Sequence, residues 1–152
     1  MPTNHPAYLR HYCLKLLKLQ PRTILDIGID HGTNGVLARE YCGPEYITAL
    51  HWAVHDFLDI RDARTIVNDP WRFDLIVMTD IIEHITHEDG ERLLTWIAGH
   101  SVSFLVTTPA KVIVNPPAEN PLEEHLSIWT SKELERFGKV KPARPLWVIE
   151  ER

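Results

Sequence analysis

Cysteine is scarce in this chain, with Cys13 and Cys42 the only two. They are too few for a disulfide framework and fall in no metal-ligand pattern, as expected of a protein kept in a reducing compartment. Long apolar runs are missing too: none approaches the ~20 residues that span a bilayer, and the polar start M-P-T-N-H-P is unlike a secretory signal. The expected location is cytoplasmic, with no membrane partner. Positive charge is in deficit, 16 Lys and Arg against 21 Asp and Glu, for a net charge of −5 with His neutral. That balance, with Lys111, Arg144 and the other bases scattered rather than clustered, argues against a broad nucleic-acid surface. Repeats and low-complexity tracts are absent as well, which sets aside solenoids and disordered linkers.

What remains is ordinary for a globular chain: 152 residues, 44% hydrophobic and 24% charged. That is enough for one domain burying roughly two-thirds of its unfolded surface. The chain is organised around Thr23 to Gly35, T-I-L-D-I-G-I-D-H-G-T-N-G. Thr23, Ile24, Leu25 and Ile27 make a short apolar strand, and Gly28 and Gly32 follow where the backbone must turn without a Cβ. Thr33 or Asn34 then caps a helix in which Val36, Leu37 and Tyr41 are spaced to face a sheet. The open N–H groups at that helix start can take a polar or anionic ligand. A nucleotide-like cofactor is therefore expected at the end of the first strand.

Upstream lies an amphipathic helix, with Tyr8, Tyr12, Leu16 and Leu19 on one side, widened by Leu9, Cys13 and Leu17, and ended by Pro21. Downstream, Tyr46–Trp52 reads as a second strand and Asp56–Ile60 as a third, with too short a gap for a full crossover helix. A short helix or turn follows from Ala63 to Val67. Phe73–Met78, F-D-L-I-V-M, is the most strand-like run, nearly continuous in apolar residues as a central parallel strand is. His87–His100 predicts a helix burying Leu93, Leu94, Trp96 and Ile97, and Val102–Thr107 predicts another strand. Pro116, Pro117 and Pro121 keep the next segment irregular. Ser131 to Phe137 reads as a short helix stopped by Gly138, and Leu146–Ile149 as a last, antiparallel strand with Trp147 in the core.

Strands alternating with helices predict an α/β fold: a mostly parallel sheet with helices on both faces, reduced between the second and third strands. Ligands in such a sheet sit at the carboxyl ends of the strands. Asp26, Gly28, His51, Asp62, Asp80, Thr107 and Pro109 all fall there. Asp80-Ile81-Ile82-Glu83-His84 adds carboxylates and an imidazole on one turn, and His125 follows later. Those groups suit magnesium, manganese or zinc. Without metal, Glu83 and His84 are expected to form a hydrogen-bonded pair, with His84 serving as a general base.

The motifs, in their order, resemble the class I S-adenosylmethionine-dependent methyltransferases. L-D-I-G-x-x-x-G-x-x-G is similar to their motif I, and F-D-L-I-V-M-T-D-I-I-E-H-I to their fourth-strand signature. F-L-V-T-T-P resembles the end of their fifth strand, and N-P-L-E-E-H-L-S-I-W-T-S-K-E-L a tail of small bacterial and viral members. The resemblance implies a compact Rossmann-like fold in a single domain: an N-terminal helix at 1–20, a cofactor-binding core at 21–109, and a substrate-side segment with C-terminal strands at 110–152. It implies S-adenosylmethionine as cofactor, with Asp26 ordering its methionine end, Gly28 and Gly32 admitting it to the backbone, and Asp62 and Ala63 reading its adenine. Asp80 lies beside the methyl.

Two positions depart from the pattern: His51 stands where the family places a ribose-binding acid, and Asp30 replaces the middle glycine. A neutral imidazole has one acceptor and cannot bind both hydroxyls, and a carboxylate at Asp30 either faces solvent or repels the carboxylate of the cofactor. Trp52 stands equally for an adenine stack or for core, and His31 approaches the cofactor through its backbone only. The RNA 3′-terminal 2′-O-methyltransferases and the ubiquinone-biosynthesis O-methyltransferases carry Glu-x-x-Glu-His and bind a divalent metal through it. A later histidine before Trp-Thr joins it in the RNA group, echoed here by His125 and Trp129-Thr130. The metal set so implied is Asp80, Glu83, His84 and His125, beside the metal-free reading.

The expected activity is methyl transfer to oxygen or nitrogen on a small-molecule or sugar-like substrate. His84 is the base, with Asp80 and Glu83 beside it. No inserted cap is visible, so the acceptor cleft is open or completed by a second copy in a homo-oligomer. Two other classes stay open: a cofactor- or partner-binding protein without transfer activity, motivated by Asp30 and His51, and a divalent-metal-dependent hydrolase.

Overall fold

The computed structural model describes residues 6–28, 33–42, 63–111 and 124–152. The strands expected at Tyr46–Trp52 and Asp56–Ile60, the shortened connection between them, and Asp30, His31, Gly32, His51, Trp52 and Asp62 lie outside the described residues.

The centre of the described sheet is the longest apolar run. Strand β2, Phe73–Thr79, lies parallel between β1, Ile24–Ile27, and β3, Ser101–Pro109, with Asp26 opposite Val77 and Thr79 opposite Thr107. Among the described residues the sheet has five strands, in the order β1-β2-β3-β5-β4, ending with β5, Leu146–Glu150, and β4, Lys139–Ala143. Strand β5 runs antiparallel to both β3 and β4, so the final strand takes the predicted direction. Strand β4 went unpredicted because K-V-K-P-A has little apolar content. Lysines and a proline are tolerated there because β4 is an edge.

Alternation along the strands divides the core between two faces. On one, Ile24, Leu75, Val77 and Leu105 pack with Tyr8, Tyr12 and Leu16 of helix α1, Pro6–Leu19, and Ala38 of helix α2, Thr33–Cys42. On the other, Leu25, Ile27, Ile76, Met78 and Val106 pack with Leu93, Leu94, Trp96 and Ile97 of helix α3, His87–His100, and Ile66 of a 3-10 helix, Ala63–Asn68. Each such side chain contributes roughly 1.5–3 kcal/mol when buried, and β2 places four consecutive ones, Leu75 to Met78, at 0% exposure. Helix α3 starts where expected because Thr86 accepts from the Asp89 amide at 3.2 Å and Glu88 and Asp89 sit in its first turn. The last helix, α4, is shorter than predicted: Ser131–Leu134, under a Thr130–Glu133 capping box, then a turn over 135–137.

Helix α2 presents a different face from the expected one. Val36 and Tyr41 are exposed and Leu37 is half-buried, while Asn34, Gly35 and Ala38 are buried. The reason is polar. Asn34 is anchored by hydrogen bonds to Tyr8, Tyr12 and Asp26, and this turns the apolar pair of the helix outward.

Candidate active site

Because β1, β2 and β3 are parallel, their carboxyl ends share one edge, and the described site residues gather there. Asp26 is the penultimate residue of β1, 4% exposed. Its Oδ1 accepts from Asn34 Nδ2 at 3.1 Å, and its Oδ2 is buried with no hydrogen-bond partner among the described residues. Burial raises its pKa to about 7 against the lowering effect of Asn34. Gly28 follows with φ +78, and a Cβ there would lie 2.4 Å from Ile81 Cδ1. The Ile81 side chain therefore packs over Gly28, whose positive φ is one that glycine adopts readily. Ala63, the other described cofactor-binding expectation, opens the 3-10 helix and packs on the α3 side of the core.

After β2, Asp80 adopts φ 54, a left-handed conformation that aspartate tolerates better than most residues. Thr107 holds it: the Asp80 amide donates to the Thr107 carbonyl at 3.1 Å, and Thr107 Oγ1 donates to Asp80 Oδ1 at 3.0 Å. Thr108, pointing to the other face, donates to Glu83 Oε2 at 3.2 Å. Glu83 and His84 lie in a 3-10 turn, Ile82–His84. Glu83 is raised to about 8, first by burial and then by the charge of Asp80. His84 Nε2 stands 3.9 Å from Glu83 Oε1, too far for the expected hydrogen bond. His84 Nδ1 instead meets the Glu124 carbonyl at 3.1 Å. A carbonyl only accepts, so the neutral ring carries its proton on Nδ1 and leaves the Nε2 lone pair open.

The segment that brings His125 is strapped to the same turn. The amides of Leu126 and Ser127 donate to the Glu83 carbonyl at 2.7 and 3.1 Å, and Ser127 Oγ donates to the Ile82 carbonyl at 2.8 Å. Trp129, 1% exposed, donates to Ser127 Oγ at 2.8 Å. His125 thereby lies edge-on to His84 with ring centroids 5.0 Å apart, and burial followed by the nearby His84 charge lowers its pKa. One ligand atom each from Glu83, His84 and His125 fall within 4.8 Å of one another. Asp80 is not in that group and faces Thr107 instead.

No protein-family model and no curated protein matches the sequence. Solved structures match by shape. TehB from Haemophilus influenzae gives a TM-score of 0.64 at 13% identity, over 94% of this chain and 61% of TehB. The methyltransferase domain of bacterial CtHen1 gives 0.55 at 12%, over 95% of this chain and 97% of that domain. Human N-acetylserotonin methyltransferase, solved with S-adenosylmethionine, gives 0.58 at 15%, over 95% of this chain and 51% of that one. The fold is the Rossmann-like fold of methyltransferases. This chain spans 61%, 67% and 57% of the length of TehB, PigF and a Burkholderia thailandensis O-methyltransferase family protein.

Sequence reasoning missed Asn34 as the partner of Asp26 and Thr108 as the partner of Glu83. Neither has a local signal, since Asp26 and Asn34 lie on different elements, β1 and α2, and Glu83 and Thr108 are 25 residues apart. Among the described residues, no helix is long and apolar enough to cross a membrane.

Proposed function

We propose that this protein is an S-adenosylmethionine-dependent methyltransferase acting on oxygen or nitrogen of a small-molecule or sugar-like acceptor. The observation that carries the reading is Asp26 Oδ2: a carboxylate oxygen buried without a hydrogen-bond partner among the described residues, near the carboxyl end of a parallel strand. Leaving such an oxygen unpaired costs about 1–3 kcal/mol or more, so a bound donor is the natural completion. The methionine end of the cofactor, with its ammonium group, fits that need. When bound, S-adenosylmethionine supplies an activated methyl group on sulfur. The chain's own residues supply the rest: Asp26 and Gly28 hold the cofactor, Asp80 lines the place beside it, and His84 takes the acceptor's proton at Nε2.

Glu83, His84 and His125 favour a second reading of the acceptor side, as a divalent-metal site. Two imidazoles and one carboxylate are a donor set suited to manganese or zinc. A bound cation would lower the pKa of a coordinated acceptor hydroxyl, and Glu83 would lose its proton on binding it. The hydrolase alternative uses the same three residues and differs in needing no S-adenosylmethionine.

Calorimetry with S-adenosylmethionine at pH 6 and pH 8, with and without manganese, tests these readings together. Micromolar binding that tightens at pH 8, as Asp26 ionises, supports the transferase. Affinity weaker than millimolar at both pH values removes it. Manganese binding abolished by His125→Ala supports the metal site, and turnover with metal but no S-adenosylmethionine points to the hydrolase.

A further inference from the structure

Helix α1 contributes more than apolar packing. Tyr8 and Tyr12 are both 0% exposed, and among the described residues both hydroxyls donate to one residue, Asn34. Tyr8 donates to the side-chain oxygen of Asn34 at 2.7 Å, and Tyr12 donates to its backbone carbonyl at 2.7 Å. The Asn34 amide in turn donates to Asp26 Oδ1 at 3.1 Å. The two tyrosines therefore act on different parts of Asn34, and only Tyr8 acts on the group that touches Asp26.

We propose that Tyr8 is a positioning residue of the cofactor site, setting the Asp26 carboxylate through the side chain of Asn34. This rests on the transferase reading of Asp26 and adds a residue of α1 to it. The argument is one of satisfaction. Asn34 is 3% exposed, so its Oδ1 needs a donor and its Nδ2 needs an acceptor. With Tyr8 on the oxygen, the amide keeps its nitrogen toward Asp26. One carboxylate oxygen is occupied by that bond, and the other, Oδ2, is left for the ligand. A donor bound to the amide oxygen also polarises the amide and strengthens the hydrogen bond its N–H donates to Asp26 Oδ1. Without the Tyr8 hydroxyl, the buried Oδ1 loses its donor, and turning the amide away from Asp26 becomes the relief. Tyr12 has no such effect, because a backbone carbonyl cannot turn without moving α2.

Tyr8→Phe and Tyr12→Phe form the matched test, since each deletes one buried hydroxyl and keeps the ring. Two readouts are taken on each: affinity for S-adenosylhomocysteine by calorimetry, and the titration midpoint of the Asp26 carboxyl by carbon NMR without ligand. Tyr8→Phe is expected to weaken S-adenosylhomocysteine binding about fivefold, the value of one typical hydrogen bond, and to move the Asp26 midpoint upward. Tyr12→Phe, at a comparable loss of melting temperature, is expected to change neither. A Tyr8→Phe protein that binds as tightly as wild type, or leaves the midpoint in place, overturns the inference while the transferase reading stands. The same holds if the two variants weaken binding equally, since that is a stability effect. A wild-type protein that fails to bind S-adenosylhomocysteine removes the transferase reading, and this inference with it, however the midpoint moves.

Discussion

Asp26 and Glu83 are both buried acids at the ends of neighbouring strands, and both are held well above the ordinary carboxylate range, to about 7 and about 8. The causes differ. Asp26 is raised by burial, and the described polar groups linked to it are neutral: an asparagine and, through it, two tyrosines. Glu83 is raised by burial and by Asp80, among two imidazoles, in a region partly open to solvent. On the proposed reading, Asp26 receives the single cationic group of the cofactor. An acid crowded by other titratable groups is built to exchange protons or to share a cation. Under the proposed function, one edge of the sheet has a holding half and a reacting half, and substitutions should separate them.

The largest expected effect belongs to the reacting half. His84→Ala should lower the rate of methyl transfer by about 10²–10⁴-fold, the usual contribution of a general base, and leave affinity for S-adenosylmethionine unchanged. Equal losses in both would break the division. Asp26→Asn should do the reverse, weakening cofactor affinity by about 10²-fold, as expected when one member of a buried charged pair is removed. The same variant should gain thermal stability at pH 8. Its sign follows from linkage: a folded-state pKa raised from 3.8 to about 7 means that ionised Asp26 destabilises the fold as pH rises through that window. Glu83 acts in the same direction up to about 8. The melting temperature of the wild type should therefore fall from about pH 4 to about pH 8, with Asp26 contributing up to about 7 and Glu83 up to about 8, and less steeply in an Asp26→Asn, Glu83→Gln double variant.

Gly28→Ala tests the joint between the halves. Its φ of +78 predicts a loss of about 1–3 kcal/mol in chemical denaturation, and an added Cβ would also have to displace the Ile81 side chain. The smallest effect is expected from Asp80→Asn. Removing that charge leaves only burial to raise Glu83, so its midpoint should move down from about 8, while the Asp26 midpoint stays in place. A shift at Asp26 as well would show that the halves are electrostatically coupled.

The two halves also differed in how far they could be read from sequence. Strand β2 and helix α3 were legible to within a residue at either end, because a continuous apolar run and a capped amphipathic helix are local patterns. The D-x-x-E-H turn and its meeting with His125 were legible as a motif. Their spacing was not: Glu83 and His84 were expected to bond and stand 3.9 Å apart. The face of α2 misled because hydropathy counts Val36 and Tyr41 as inward residues, whereas the helix is oriented by the polar Asn34. Tyr8 and Tyr12 were legible as an apolar stripe and not as donors, since a hydroxyl's partner lies 26 and 22 residues away. Strand β4 escaped notice because edge strands need little apolar content.

The most direct test of the central claim is a crystal structure of the protein soaked with S-adenosylhomocysteine. The account predicts a donor group of the ligand within hydrogen-bond distance of Asp26 Oδ2, with the Asn34 contact to Oδ1 kept. A structure in which Oδ2 is satisfied by one of the protein's own side chains, with no room for an adenosine at that strand end, would contradict it.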